Sequence, residues 1–231
     1  MDKLSNALSQ TLRDSDLHGV CTNVGEAFLD TLFQEGVVKD VPILGTLYKL
    51  CKTGLNISDR LFTTKLVHFL AEIANVPAAD RAKEISKIES SGKYQLKVGE
   101  KLLYILEKAD DHEIARITAF LFGAFLSGQL DYDDFLRGSR AVQGLVPSDL
   151  KQFVKDERDR WSIHDPTAEV LQGAGLLEFD ELEIRVEDEW DRKVERKYHV
   201  EGGELSVSVS RMGKKVRDVL RSRWCTSKSG K

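Results

Sequence analysis

Lys52-Thr53-Gly54, Ser58-Asp59 and Ser90-x-x-Lys93 are the fragments of this chain that come nearest to catalytic motifs. Serine enzymes that recognise penicillin carry Ser-x-x-Lys first and hold Lys-Thr-Gly on a strand. Here the order runs the wrong way and the surrounding pattern is helical, so the fragments do not assemble a nucleophile and its base. Lys52-Thr53 also fails as a phosphate loop. That loop needs a glycine directly before the lysine, after a buried strand, so that backbone N–H groups cradle the phosphate. Cys51 occupies that position instead.

The other reactive groupings are thin. His18-x-x-Cys21 is the one close pair of metal-ligand types, and it has no further ligands at the short spacings a zinc site uses. His68, His112 and His199 stand singly. No metal or cofactor is expected. Arg158 and His164 match the loose arginine-to-histidine spacing of helical ribonucleases, where histidine moves a proton and arginine steadies phosphate charge. Pro166 follows directly, so the pair falls at a helix end or linker, and DERDRWSIHD reads first as a solvated, charged turn. A ribonuclease-like toxin using Arg158 and His164 stays as an alternative.

Helices must position whatever these residues do. Phe62, Leu66, Phe69, Leu70 and Ile73 repeat at helical spacing, with Ser58 as the expected N-cap and Asp59 in the first turn. Ala78 to Glu89 reads as a charged amphipathic helix, separated from the next by Ser90-Ser91-Gly92. Val98, Leu102, Ile105 and Leu106 form one apolar stripe; Ile114, Ile117, Leu121, Phe122 and Phe125 form another, closed by Gly128. Asp131 and Pro147 open two further helices.

Near Asp165 the period changes. Pro166 to Ala174 is a short helix closed by Gly175, after which Leu182, Ile184 and Val186 alternate with charged residues as one strand. Val194 to Val200 and Leu205 to Val209 alternate as well, separated at Gly202-Gly203. Ser210 caps a last helix with Met212, Val216, Val219 and Leu220 on one face, and residues 224–231 read as a flexible tail.

A chain of 231 residues can bury a sizeable core. Its net charge of −4 argues neither for nor against a polyanion partner. Three cysteines without paired spacing suggest reduced thiols in a cytoplasm, and MDKLSNALSQTLRD lacks the apolar stretch of a secretory leader. VPILGTLYKLCKTGLN, at 41–56, is the most apolar run, but Lys49 and Lys52 interrupt it. Membrane contact is not expected, although a membrane-perturbing hairpin over 41–56 is a second alternative.

Charge is uneven in the last third. Glu178 to Asp191 holds eight acids against Arg185 alone, and Arg211 to Lys231 holds eight bases against Asp218 alone. Arg211, Lys214, Lys215 and Arg217 are therefore the candidate contacts for nucleic acid or an acidic partner. The acidic stretch argues for protein contact, a second copy of the chain included, over sequence-specific reading of DNA.

The C-terminal pattern resembles a winged-helix module. Leu171, Gly175, Leu176 and Leu177, then Val207-Ser208-Val209-Ser210-Arg211-Met212-Gly213-Lys214-Lys215-Val216, carry that likeness. VPILGTLYKLCKTGLNISDRLFTTKLVHFL, KVGEKLLYILEKADD and LFGAFLSGQLDYDDFLR, with GLLEF and SRMGKKV, resemble a bacterial abortive-infection-associated family of Abi-alpha type. That resemblance spans about Val38 to Arg221. It implies a role in defence against phage and brings no catalytic residues with it. The expected fold is mainly α, a multi-helix domain over 1–145 followed by a winged-helix-like α+β module over 146–223. The expected function is that of a non-enzymatic defence-associated protein acting through protein or nucleic-acid contacts.

Overall fold

Aspartates set the starts of three helices. Asp111 accepts from the Ile114 N–H at 2.9 Å, Asp131 from Asp134 at 2.7 Å and Asp165 from Thr167 at 2.9 Å. Each fills a donor that the first helical turn leaves without a backbone partner. The computed structural model describes residues 2–13, 17, 41–51, 57–182, 184–189, 197–202 and 205–226. Among them the order is α1 (Asp2–Arg13), α2 (Pro42–Cys51), α3 (Ile57–Ile73), α4 (Ala78–Ser90), α5 (Val98–Lys108), α6 (His112–Leu126), α7 (Tyr132–Gln143) and α8 (Pro147–Lys155). There follow β1 (Arg160–Ser162), α9 (Pro166–Gly173), β2 (Leu177–Phe179), β3 (Ile184–Glu189), β4 (Lys197–Gly202), β5 (Ser206–Val209) and α10 (Arg211–Thr226).

α6 is the centre of the molecule. Twelve of its fifteen residues are buried, as a helix that is apolar almost all round requires. α3, α7 and α10 pack on it. Its Phe122 meets Phe69 of α3 at 5.8 Å and Phe135 of α7 at 5.1 Å, ring separations at which tilted aromatic pairs attract. Gly128, at φ +76°, supplies the left-handed turn that ends α6, letting the Gln129 N–H donate back to Ala124 at 2.8 Å.

On one side of this core, α1 packs on α2, α4 and α5. The crossing with α5 is close: a side-chain carbon at Gly99 would lie 2.3 Å from Ser9 Oγ and 2.7 Å from the Ser5 carbonyl oxygen. Arg81 of α4 is buried, 1% exposed. Its Nε donates to the Leu12 carbonyl at 2.8 Å, and its Nη1 to those of Val76 at 2.7 Å and Ile73 at 3.3 Å. It thereby serves the C-terminal ends of α1 and α3, where a cation also suits the helix dipole.

On the other side, β5 lies between β1 and β2, antiparallel to both, while β3 pairs only with β4. α10 is seated on this sheet by the GLL and SxxG segments. Ser210 Oγ donates to the Gly175 carbonyl at 2.8 Å and accepts from the Gly213 N–H at 2.9 Å, and the Ser210 N–H donates to the Leu176 carbonyl at 3.0 Å. A side chain at Gly213 would meet that same Leu176 oxygen at 2.1 Å. Arg221 then closes α8, donating to the carbonyls of Val154 and Asp156, both at 2.7 Å.

Several sequence expectations change. Arg160–Ser162, read as part of a solvated turn, is a strand with Trp161 buried at its centre. The single strand expected through Leu182, Ile184 and Val186 is split: β2 ends at Phe179 and β3 starts at Ile184, in different sheets. The two alternating stretches on either side of Gly202 belong to different sheets, β4 pairing with β3 and β5 with β1 and β2. α3 begins at Ile57, placing Ser58 inside the first turn rather than at the cap. Within the 41–56 stretch, Gly45 lies inside α2, its N–H donating to Val41 at 2.9 Å. α10 runs on to Thr226, and Trp224 packs against the core, so the helix continues into the region expected as tail. Buried Phe153, Trp161, Leu176 and Val207 belong to the same cluster as Phe122, so one core spans the boundary expected at 145.

Two substitutions test this architecture. Arg81→Ala removes hydrogen bonds from the carbonyls of Leu12, Ile73 and Val76, of which Ile73 keeps the Val76 N–H, and is expected to cost about 3 kcal/mol or more in chemical denaturation. Gly213→Ala forces a methyl group against backbone and is expected to cost about 1–3 kcal/mol, while the same change at exposed Gly173, where nothing lies within 4 Å, is tolerated. Equal midpoints for Gly213→Ala and Gly173→Ala would contradict the close packing of α10 on Leu176.

Candidate anion-binding groove

Lys101, Tyr104 and Lys108 occupy successive turns along one face of α5, opposite the buried Leu102, Leu103 and Leu106. Arg137 and Arg140 do the same on α7, whose other face buries Phe135 and Val142. α5 rests on α1 and α3, and α7 rests on α6. The two outer faces thus border a groove of about 620 Å³, floored by Ile105 and Leu136. Gln143 bridges it, its Nε2 donating to the Ile105 carbonyl at 2.8 Å.

Four cations line this groove, and no carboxylate among the described residues does. Some lysines elsewhere are paired: Lys93 with Asp133, Lys151 with Glu113, Lys215 with Asp134. Lys101, Lys108, Arg137 and Arg140 make no such pair among the described residues. Like charges held together by one scaffold raise the local positive potential and draw anions. Ser139, 1% exposed, also lines the groove, and its Oγ has no hydrogen-bond partner among the described residues.

A smaller hollow of about 230 Å³ continues from it, sharing Lys101 and Leu136 and adding Tyr94 and Tyr132. Those two rings meet edge to face at 4.8 Å. The Tyr94 hydroxyl donates to Asp133 at 2.7 Å. Tyr132 is buried, which pushes its phenol above the ordinary range and keeps it protonated.

The four cations singled out in the sequence do not form one patch. Arg211 and Lys214 are exposed. Lys215 turns to buried Asp134 of α7. Burial raises that carboxyl, and the lysine's hydrogen bond and charge outweigh it, leaving Asp134 below the usual range. Arg217 faces inward, its side chain 5% exposed. Its guanidinium lies 4.4 Å from the Phe153 ring and 5.6 Å from Trp161, with Nη1 donating to Asp159 at 3.0 Å. The spacing carried a signal for this: Gly213, Val216, Arg217 and Leu220 fall on one helical face. The groove gave no comparable signal, because its cations lie on two helices separated by α6.

Arg158 is engaged by carboxylates. Its Nε lies 3.0 Å and its Nη2 2.7 Å from Asp156 Oδ2, and its Nη1 lies 3.7 Å from Asp165. His164 is exposed in the turn between β1 and α9, outside any helix. Of the 41–56 stretch, Val41, Ile43, Leu44 and Leu47 are buried in the core, and the Ile43 N–H donates to Thr11 at 3.1 Å. No helix among the described residues is long and apolar enough to cross a membrane. Lys52-Thr53-Gly54, His18 and Cys21 lie outside the described residues. Comparison with protein-family models, with curated proteins and with solved structures finds no match to this chain.

A separate polar cluster joins α3 to α6. His68 stacks on His112 at 4.8 Å, and burial, with positive charge from His112 and Arg116, holds His68 below the ordinary histidine value. The folded state thus releases this proton more readily than the unfolded chain. The stability involved is present above the ordinary histidine pKa, about 6.5, and is lost as pH falls below it. Burial raises Glu72 nearby, which leans the opposite way. Denaturation of the wild type and of His68→Asn at about pH 7.5 and 5.5 separates the two. The wild type is expected to lose more stability on acidification, and equal losses would refute the assignment to His68.

Proposed function

We propose that this chain is a non-enzymatic binding protein of the bacterial phage-defence type that its sequence resembles, acting on an anionic partner, nucleic acid or acidic protein. The observation that carries this reading is the groove between α5 and α7, with four cations and no lining carboxylate. The reactive-looking residues support it in a different way. Arg158 is held by Asp156, and the inward part of the C-terminal basic run is used in packing. Arg211 and Lys214 offer a second, smaller contact.

The same reading takes residues from α8 to α10 as a winged-helix-like module. Support comes from the sheet order β1-β5-β2 and from the β3–β4 pair inserted between β2 and β5, where a wing would stand. Its short helix α9 has no lysine or arginine, which favours docking of a partner over reading of bases. Scattered cysteines support a reducing, cytoplasmic setting.

Binding of the purified protein to heparin, followed by titration at low and high salt, tests the anion reading. Lys101→Glu/Arg137→Glu/Arg140→Glu is expected to weaken it at least about 100-fold at low salt, whereas Arg211→Glu/Lys214→Glu weakens it less. Binding that survives the triple reversal would sink the groove as the site. Cells carrying the triple variant are expected to lose protection against phage.

A further inference from the structure

We infer that the groove between α5 and α7 is a track for single-stranded nucleic acid, with phosphates on its four cations and a base stacked on Tyr104. The inference rests on the anion-binding reading and names its ligand. Charge alone does not choose between a nucleic acid and an acidic peptide. The aromatic ring does.

Tyr104 stands between Lys101 and Lys108 on the same face of α5, and it is 37% exposed, whereas most rings among the described residues are buried. Lys101 and Lys108 lie about 10 Å apart along the helix axis, with Tyr104 midway. A cationic groove interrupted by an open aromatic face is the arrangement that holds single strands, because every base offers a face to stack and every linkage a charge to pair. An acidic peptide would use the cations and leave the ring idle.

Two further features fit. Arg137 and Arg140 bring planar forks that match phosphate oxygens two at a time. Ser139 adds a buried hydroxyl close behind the groove wall, without a hydrogen-bond partner among the described residues. The groove, about 620 Å³, has room for an unstacked base beside Tyr104, whereas the bases of a duplex are turned inward and stacked and offer that ring no face. The adjoining hollow extends the track past Lys101 toward Tyr94.

The test uses fluorescence anisotropy of the full chain with a labelled oligouridylate, a duplex of equal length, and polyglutamate. The single strand is expected to bind best, with a log–log salt slope of about −3 for four neutralised phosphates. Tyr104→Leu, which keeps apolar bulk, is expected to lose roughly tenfold for the single strand and nothing for polyglutamate. Tyr104→Phe is expected to retain binding. Polyglutamate bound as tightly as oligouridylate, with Tyr104→Leu silent, would overturn this inference and leave anion binding standing. Duplex bound as tightly as single strand would overturn it too. Failure of every polyanion to bind would remove both readings.

Discussion

The guanidinium of Arg81 is an unusual thing to bury, and the position of the N-terminal helices follows from where its hydrogen bonds go. A charged group taken out of water must be compensated fully or it unfolds its surroundings. Here it is met by the carbonyls of Leu12, Ile73 and Val76, groups that the ends of α1 and α3 leave open. One side chain therefore ties the ends of two helices together. α1 held in this way presses on α5 at Gly99, where backbone and hydroxyl leave no room for a side chain. The outer face of α5, with Lys101, Tyr104 and Lys108, inherits its orientation from that contact.

The opposite wall is fixed by different means. α7 is packed on α6 through Phe135, and α10 leans on it through Val216 and Met212, which would lie 3.5 Å and 3.6 Å from a side-chain carbon at Gly138. α10 in turn is anchored by Ser210 and by the absence of a side chain at Gly213. Asp134 and Lys215 join α7 to α10 in an ion pair that is largely removed from solvent. The sheet and its last helix are thus bound into the support of the groove.

Much of this was legible in the sequence wherever local chemistry decides the structure. Asp131 caps as a residue of that type and place should, Gly128 and Gly175 take positive φ at helix ends, and Ser210 opens the last helix. What escaped was decided by distant partners. β1 is three residues long, and only Trp161 faces the core, so its flanking charges read as a loop. Alternation continued through Leu182 although the strand had ended, because period two records exposure and not pairing. A run of bases reports charge without direction, and the aromatic shelf of Phe153 and Trp161 that draws Arg217 inward lies more than fifty residues earlier. The groove combines two helices with another between them, so no window of sequence contains it.

α6 has almost no surface of its own, and this divides the labour of the chain unevenly. Residues that touch it are held by many neighbours at once, and a change in any of them is felt in every layer. The outward residues of α5 and α7 are held by few neighbours and face solvent or a partner. Over generations the first set is constrained by the need to fold, while the second is at liberty to drift. A scaffold partitioned like this can keep its shape while the lettering on its outer walls is rewritten, so the partner it serves can diverge faster than the fold that presents it.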